Sequence, residues 1–296
     1  MGNGIARGEA LGGRLVLEIE GRPGPPGLRF EWADAGRLLL RQSGRPLLLG
    51  RTDGDACCPE LYLHRLDGYG SPLPPIRSTE ARSARNWVHA YARHLEQADG
   101  TPLSDGRWEF ALRTGTPRYI WTSDFVSEWP GGRLGLYCGG GWSGVLPLRR
   151  LSSPQAGRVK AYRKHAREGT LAPVLLWWVS FLNGCVLLDG HDRAVAALAE
   201  GRTPDCVMVT RVADGDAWQR SIASVHDAYA QQLAQFATRP PGPGTDRQRA
   251  AVEKGYGDTL AELPYCSEHT RTWDLPGGAP AWDALAKAAM FQFPGD

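Results

Sequence analysis

Leu171 to Leu188, LAPVLLWWVSFLNGCVLL, carries no charge over a length that just reaches across a bilayer, yet two residues inside it argue against that use. Asn183 and Gly184 both tolerate the positive φ of a tight type I′ turn, and they separate two apolar runs of strand length. The segment is therefore predicted to be two buried strands joined by a two-residue turn. No membrane is needed to explain it.

What flanks this hairpin extends the pattern. Upstream, VLPLRRL reads as a short strand. GRVKAYRKHAREG reads as a helix with Val159, Tyr162 and Ala166 on one side and a Gly after its basic last turn. Downstream, DGHDR leads into AVAALAEG, helical in its Ala and Leu content and closed by Gly201, and CVMVTRV is another strand. The order β, α, β, β, α, β within about 70 residues predicts a compact α/β unit over residues 141–214.

The chain before it uses a different grammar. Leu15, Leu17 and Ile19 alternate with polar neighbours, as do Leu28, Phe30 and Trp32, and Trp108, Phe110 and Leu112; further strands are expected at 37–41, 46–50 and 60–65. One helix is expected at about 80–97. Residues 1–140 are thus predicted to be a mostly β N-terminal domain with one helix, its Pro- and Gly-rich stretches GRPGPPG and YGSPLPP serving as turns. Residues 215–296 are predicted to be mainly helical. There Trp218, Ile222, Val225, Tyr229, Leu233 and Phe236 form an apolar stripe suited to packing on the α/β unit, RPPGPG ends that helix, and weaker helices follow around 245–262 and 279–291. The fold class is α+β.

Composition narrows the function classes. At 296 residues the chain is long enough for two cores. Its 34 Lys and Arg against 32 Asp and Glu leave a formal net charge of +2, which disfavours nucleic acid as a partner. The first twenty residues lack the apolar run of a secretory signal, and Ala6 stands where a myristoylation motif wants Ser or Thr, so a cytoplasmic location is expected. Six scattered cysteines (Cys57, Cys58, Cys138, Cys185, Cys206 and Cys266) suit neither a disulfide scaffold nor zinc, and CSEH at Cys266 and His269 supplies half a tetrahedral set.

The succession VLPLRRL, GRVKAYRKHAREG, PVLLWWV, CVLLDGHDRAVAALAEG resembles the ParB/sulfiredoxin-like superfamily, whose members carry a strand ending in a DGHHR, GERR or GCHR type turn that starts a helix. The resemblance covers under a quarter of the chain. It implies that the turn binds the phosphates of a nucleotide. The elementary reason is that a helix N-terminus offers unpaired N–H groups and about half a positive charge. On this reading Gly190 allows close backbone approach, Arg193 gives a forked contact to phosphate oxygens, and His191 adds a donor or transfers a proton. Asp189 holds a metal ion or acts as base toward a substrate hydroxyl, as in free serine kinases with a DGHHR turn. The candidate site is therefore Asp189 and His191 as catalytic groups, with Gly190, His191, Asp192 and Arg193 binding phosphate. No protein metal site is assigned. The implied cofactor is a nucleoside triphosphate or diphosphate with Mg²⁺, and the implied activity an ATP- or CTP-dependent phosphotransferase or nucleotidase.

The departures from the family are informative. His191 stands where sulfiredoxins need a nucleophilic Cys, which removes sulfinic acid reduction. Asp192 replaces the second His of DGHHR, and a carboxylate repels polyphosphate unless Mg²⁺ lies between them or the side chain turns away. No helix-turn-helix signature follows in 215–296, which disfavours partition.

The plainer account of DGHDR is structural. Asp189 is then only the N-cap of the helix, Asp192 a first-turn acid favoured by the helix dipole, and Arg193 half of a surface ion pair. Two functions stay open. One is a nucleotide- or phosphate-binding protein, for which Arg193→Ala abolishes binding with the fold intact. The other is a non-catalytic interaction protein, in which the α/β unit is a scaffold and a protein partner binds.

Other motifs carry less. Gly139, Gly141 and Gly144 spell GxGxxG but precede a strand, where a dinucleotide fold requires a helix. Ser143 lacks the last Gly of GxSxG. His89 and His94 fall on diverging helix faces, and Arg163, Lys164 and Arg167 read better as a solvated face than as a phosphate site.

Overall fold

The computed structural model describes residues 4–10, 14–22, 24–53, 58–83, 85–121, 129–136, 142–212, 215–237, 240, 242–262 and 270–293. The architecture is α+β, as the sequence predicts. The described strands form two sheets. One is seven-stranded, in the order β1 (Gly4–Ala10), β2 (Arg14–Glu20), β7 (Gly106–Arg113), β12 (Cys206–Val212), β10 (Val174–Val179), β11 (Gly184–Asp189), β9 (Val145–Pro147). The other is six-stranded, in the order β13 (Thr272–Asp274), β3 (Leu28–Ala33), β4 (Arg37–Gln42), β5 (Arg45–Thr52), β6 (Glu60–Arg65), β8 (Gly131–Gly135).

The uncharged hairpin lies inside the seven-stranded sheet, with β12 on one side and β9 on the other. Its side chains alternate between two apolar layers. Leu175, Trp177, Val179, Val186 and Leu188 share a core with Leu28, Phe30, Leu38 and Leu40 of the other sheet. Val174, Leu176, Cys185 and Leu187 pack on the opposite face with Ala194. Burial on both faces explains why neither run alternates with polar residues.

The turn differs from the expected two-residue I′ form. Val179 pairs with Gly184, so Gly184 already belongs to the strand. The chain crosses through a 3-10 turn at Ser180–Leu182 that closes on Asn183 alone in the left-handed region, at φ 44° and ψ 44°. Packing sets this longer path: Leu182 is buried, and the Phe181 ring meets Phe30 edge-on at 5.0 Å.

The boundary read at residue 140 does not separate the sheets. β7 pairs antiparallel with β12 along its length, and β2 pairs with β7, so N-terminal strands extend the sheet of the α/β unit. They cover the edge that β12 would otherwise expose.

The helices are α1 (Ser78–Ala81), α2 (Trp87–Gln97), α3 (Gly157–Glu168), α4 (His191–Ala199), α5 (Gly215–Ala237), α6 (Pro243–Glu262) and α7 (Gly278–Ala288). The single helix expected at 80–97 is broken because Asn86 caps a new start, its side chain accepting from the His89 amide at 3.2 Å. α2 buries Val88, Tyr91, Ala92 and Leu95 against the core shared by the sheets. α7 covers the outer face of the six-stranded sheet through Trp282 and Ala286, and the Trp282 indole donates to the Leu38 carbonyl at 2.9 Å.

The stripe on α5 does not pack as the sequence suggests. α5 packs chiefly on α6, where Tyr229 stacks on Tyr256 at 4.2 Å, while Ile222, Val225, Leu233 and Phe236 stay half-buried. The second sheet takes one face of the hairpin's sheet, and α4 covers part of the other. No helix among the described residues is long and apolar enough to cross a membrane.

Candidate functional site

β11 ends at Asp189 and α4 begins at His191, so the chain turns within one residue. Gly190 makes this possible with φ 91°, and a Cβ there would stand 2.8 Å from Val174 and 2.9 Å from the Arg193 guanidinium. Gly190 is itself the N-cap and supplies no capping side chain. The reading of Asp189 as the N-cap is thereby corrected: its carboxylate bonds the Ser71 and Arg193 side chains and caps no amide of the helix.

Asp189 is fully engaged. Its Oδ1 accepts from Ser71 Oγ at 2.6 Å, and its Oδ2 accepts from Arg193 Nη2 at 2.7 Å. Arg193 is only 4 % exposed and points into the protein, where Nη2 also donates to the Pro173 carbonyl at 3.0 Å and to Tyr91 Oη at 3.4 Å. It is neither half of a surface ion pair nor a fork aimed at solvent. It ties the turn to α2 and to the start of β10.

His191 is equally enclosed, at 2 % exposure. Its Nε2 accepts from the Leu148 amide at 3.3 Å, which places the proton of the neutral ring on Nδ1. Burial first, then the charges of Arg149 and Arg193, push its pKa well below 6.5. The ring lies 6.0 Å from that of Tyr69, whose hydroxyl donates to the Leu188 carbonyl at 2.6 Å.

Asp192 is buried, yet its carboxylate meets two arginines that reach solvent. Its Oδ1 accepts from Ser152 Oγ at 2.8 Å. Its Oδ2 lies 3.5 Å from Arg149 and 3.5 Å from Arg158, whose side chains are 44 % and 63 % exposed. Hydrogen bonding to Tyr162 is the main cause that raises the Arg158 pKa. A carboxylate thus occupies the position between a helix N-terminus, a hydroxyl and two arginines that an external anion would take.

The structure brings together Asp189, Gly190, His191, Asp192 and Arg193, as their adjacency dictates, and adds groups the sequence reading missed. Tyr69 and Ser71 come from YGSPLPP, read only as turn chemistry, and Tyr91 from the N-terminal helix. Arg149, Ser152, Arg158 and Tyr162 stand in the strand-to-helix connection and early α3. Their one sequence signal is two arginines at the exit of VLPLRRL and the start of the next helix. The three cations weighed instead are used elsewhere: Arg163 and Arg167 reach Glu200 at 2.6 and 2.8 Å, and Lys164 lies 3.8 Å from Glu168.

Magnesium does not fit the turn as a protein-held ion. Both oxygens of Asp189 are taken, one of them by a cation, and the described residues contain no cluster of His, Cys, Asp or Glu able to hold a metal. Gly139 and Gly141 of the GxGxxG pattern, and Cys266 and His269 of CSEH, lie outside the described residues. No family model, curated protein or solved structure matches the chain.

Proposed function

We propose that the chain binds a phosphate-bearing ligand, a nucleotide on the reading that its resemblance to the ParB/sulfiredoxin-like superfamily favours, at the N-terminus of α4. The observation that carries the reading is the convergence of Arg149 and Arg158, both solvent-facing, on Asp192 in the first turn of a helix without a capping side chain. In the ligand-bound state Asp192 swings out, and a phosphate takes its place between the two arginines and the free amides of α4. Asp189, His191 and Arg193 then act as positioning groups. Phosphotransfer or nucleotide hydrolysis would first require Asp189 to leave Ser71 and Arg193, so binding without catalysis is the simpler reading.

One observation favours the second reading, a non-catalytic interaction protein. Every side chain of the turn is tied to the protein's own groups, as expected of a scaffold joint. A thermal-shift screen of ATP, ADP, CTP and GTP with and without Mg²⁺ separates the two. A ligand at 100 times its dissociation constant adds about 2.7 kcal/mol of stability. The binding reading expects such a gain for at least one nucleotide and its loss in Arg149→Ala/Arg158→Ala. A flat response to all four, together with a protein partner that co-purifies, leaves the interaction reading.

A further inference from the structure

The other end of β11 carries a second feature that the turn does not use. A cavity of about 480 Å³ opens on the face of the seven-stranded sheet opposite the six-stranded one. Its floor is Trp178, Cys185 and Met208, on three adjacent strands. Trp178 is paired with Cys185 across β10 and β11, and Cys185 Sγ lies 3.4 Å from Met208 Sδ. The volume falls within the range of small-molecule sites, and a floor of one indole and two sulfurs suits a flat aromatic ring. Burial, and next the neighbouring Cys206, push the Cys185 thiol well above its ordinary pKa, so the floor is polarisable and unreactive.

The rim adds polarity of one sign. Arg113, at the end of β7, lines the cavity, and none of the described lining residues is acidic. The opposite rim holds Ser143 and Asn183, two of the five described non-glycine residues with positive φ, at 58° and 44°. They are bonded to each other: the Ser143 amide donates to the Asn183 carbonyl at 3.0 Å, and Asn183 Nδ2 donates to Ser143 Oγ at 3.2 Å. Backbone held in this region by its surroundings is concentrated at ligand sites. Here it fixes a hydroxyl and an amide beside an apolar floor.

We propose that this cavity is a binding site for a small planar aromatic carboxylate, its ring on Trp178, Cys185 and Met208 and its carboxylate toward Arg113. A guanidinium and a carboxylate match as a forked pair, and an apolar floor beside a cationic rim selects a ring that carries an acid over a polar anion such as free phosphate. The site shares no residue with the turn at the α4 N-terminus, and it meets β11 at Gly184 and Cys185, the end away from Asp189.

The test is calorimetric titration of the full chain with 2-naphthoate and its uncharged counterpart 2-naphthamide. The expected result is saturable binding of the acid, with the amide weaker by about tenfold or more. Arg113→Gln should abolish the preference. Met208→Trp, which fills the floor, should abolish binding of both compounds. Because Met208 is in the sheet, Ile120→Trp on the opposite wall is the companion variant, each checked by circular dichroism. No heat from either compound, equal affinity for acid and amide, or undiminished binding in a folded Ile120→Trp would overturn the proposal.

Discussion

Arg193 Nη2 lies 2.7 Å from Asp189 Oδ2, across the joint where β11 becomes α4, and both groups are largely removed from solvent. The sequence alone expects Arg193→Ala to spare the fold. Burial says otherwise, since removal leaves the Asp189 carboxylate with Ser71 as its remaining partner and takes a donor from the Pro173 carbonyl. Breaking a buried pair in this way costs about 3–5 kcal/mol. Urea denaturation of Arg193→Ala should show a markedly lower midpoint at unchanged slope. An unchanged midpoint would mean that the pair contributes nothing to the joint.

On the proposed reading, Asp192 is the group that an incoming phosphate must displace from Arg149 and Arg158. Its carboxylate holds Arg149 and Arg158 at 3.5 Å and competes directly with any external anion. Two negative charges about 6 Å apart repel by roughly 3 kcal/mol at an effective dielectric near 20. Asp192→Asn should therefore raise the affinity for Mg²⁺-free ATP by about tenfold or more and shrink the advantage that Mg²⁺ gives. Equilibrium binding of ATP with and without the metal reads both effects. Equal affinities for the variant and the parent chain would show that Asp192 is no gate.

His191 links stability to pH. Its pKa in the folded chain lies well below the 6.5 of a free imidazole, so below 6.5 the unfolded chain takes up a proton that the folded chain refuses. The contribution is complete above 6.5 and is lost progressively as pH falls toward the folded pKa. His191→Gln, which keeps an acceptor for the Leu148 amide without titrating, should flatten the slope of stability against pH between about 6.5 and 5. A slope identical to that of the parent chain would assign it to other groups.

The elements were legible where local pattern and burial agree. The strands around Leu15, Phe30, Leu38 and Phe110, the helix closed by Gly169 and the helix that follows the DGHDR turn all follow from periodicity, composition and turn chemistry, although the cap of the last is Gly190 and not Asp189. The pairing of β7 with β12 was not legible, because it joins residues about a hundred positions apart and nothing in either strand names its partner. For the same reason Ser71, Tyr91 and Arg149 were invisible as neighbours of the turn. Arg193 was misplaced because a charged residue after a turn reads as surface until Tyr91 and Pro173 are known to stand opposite it. The α5 stripe named the half-buried face of the helix and named its partner wrongly, since periodicity shows which face is covered and never by what.

Asn183 tests the connection between β10 and β11. Its φ of 44° and ψ of 44° lie in a region that costs most L-residues about 1–2 kcal/mol and Asn less, and its amide bonds Ser143 Oγ at 3.2 Å. Asn183→Gly removes the strain and the hydrogen bond together, so its net effect should stay within about 0.5 kcal/mol. Asn183→Val places a β-branched side chain where it fits worst and also loses the bond, for a cost of about 2 kcal/mol or more. Thermal unfolding should thus rank the parent chain and Asn183→Gly together, with Asn183→Val several degrees below. Equal melting of the valine and glycine variants would show that the left-handed residue is not what closes the turn between β10 and β11.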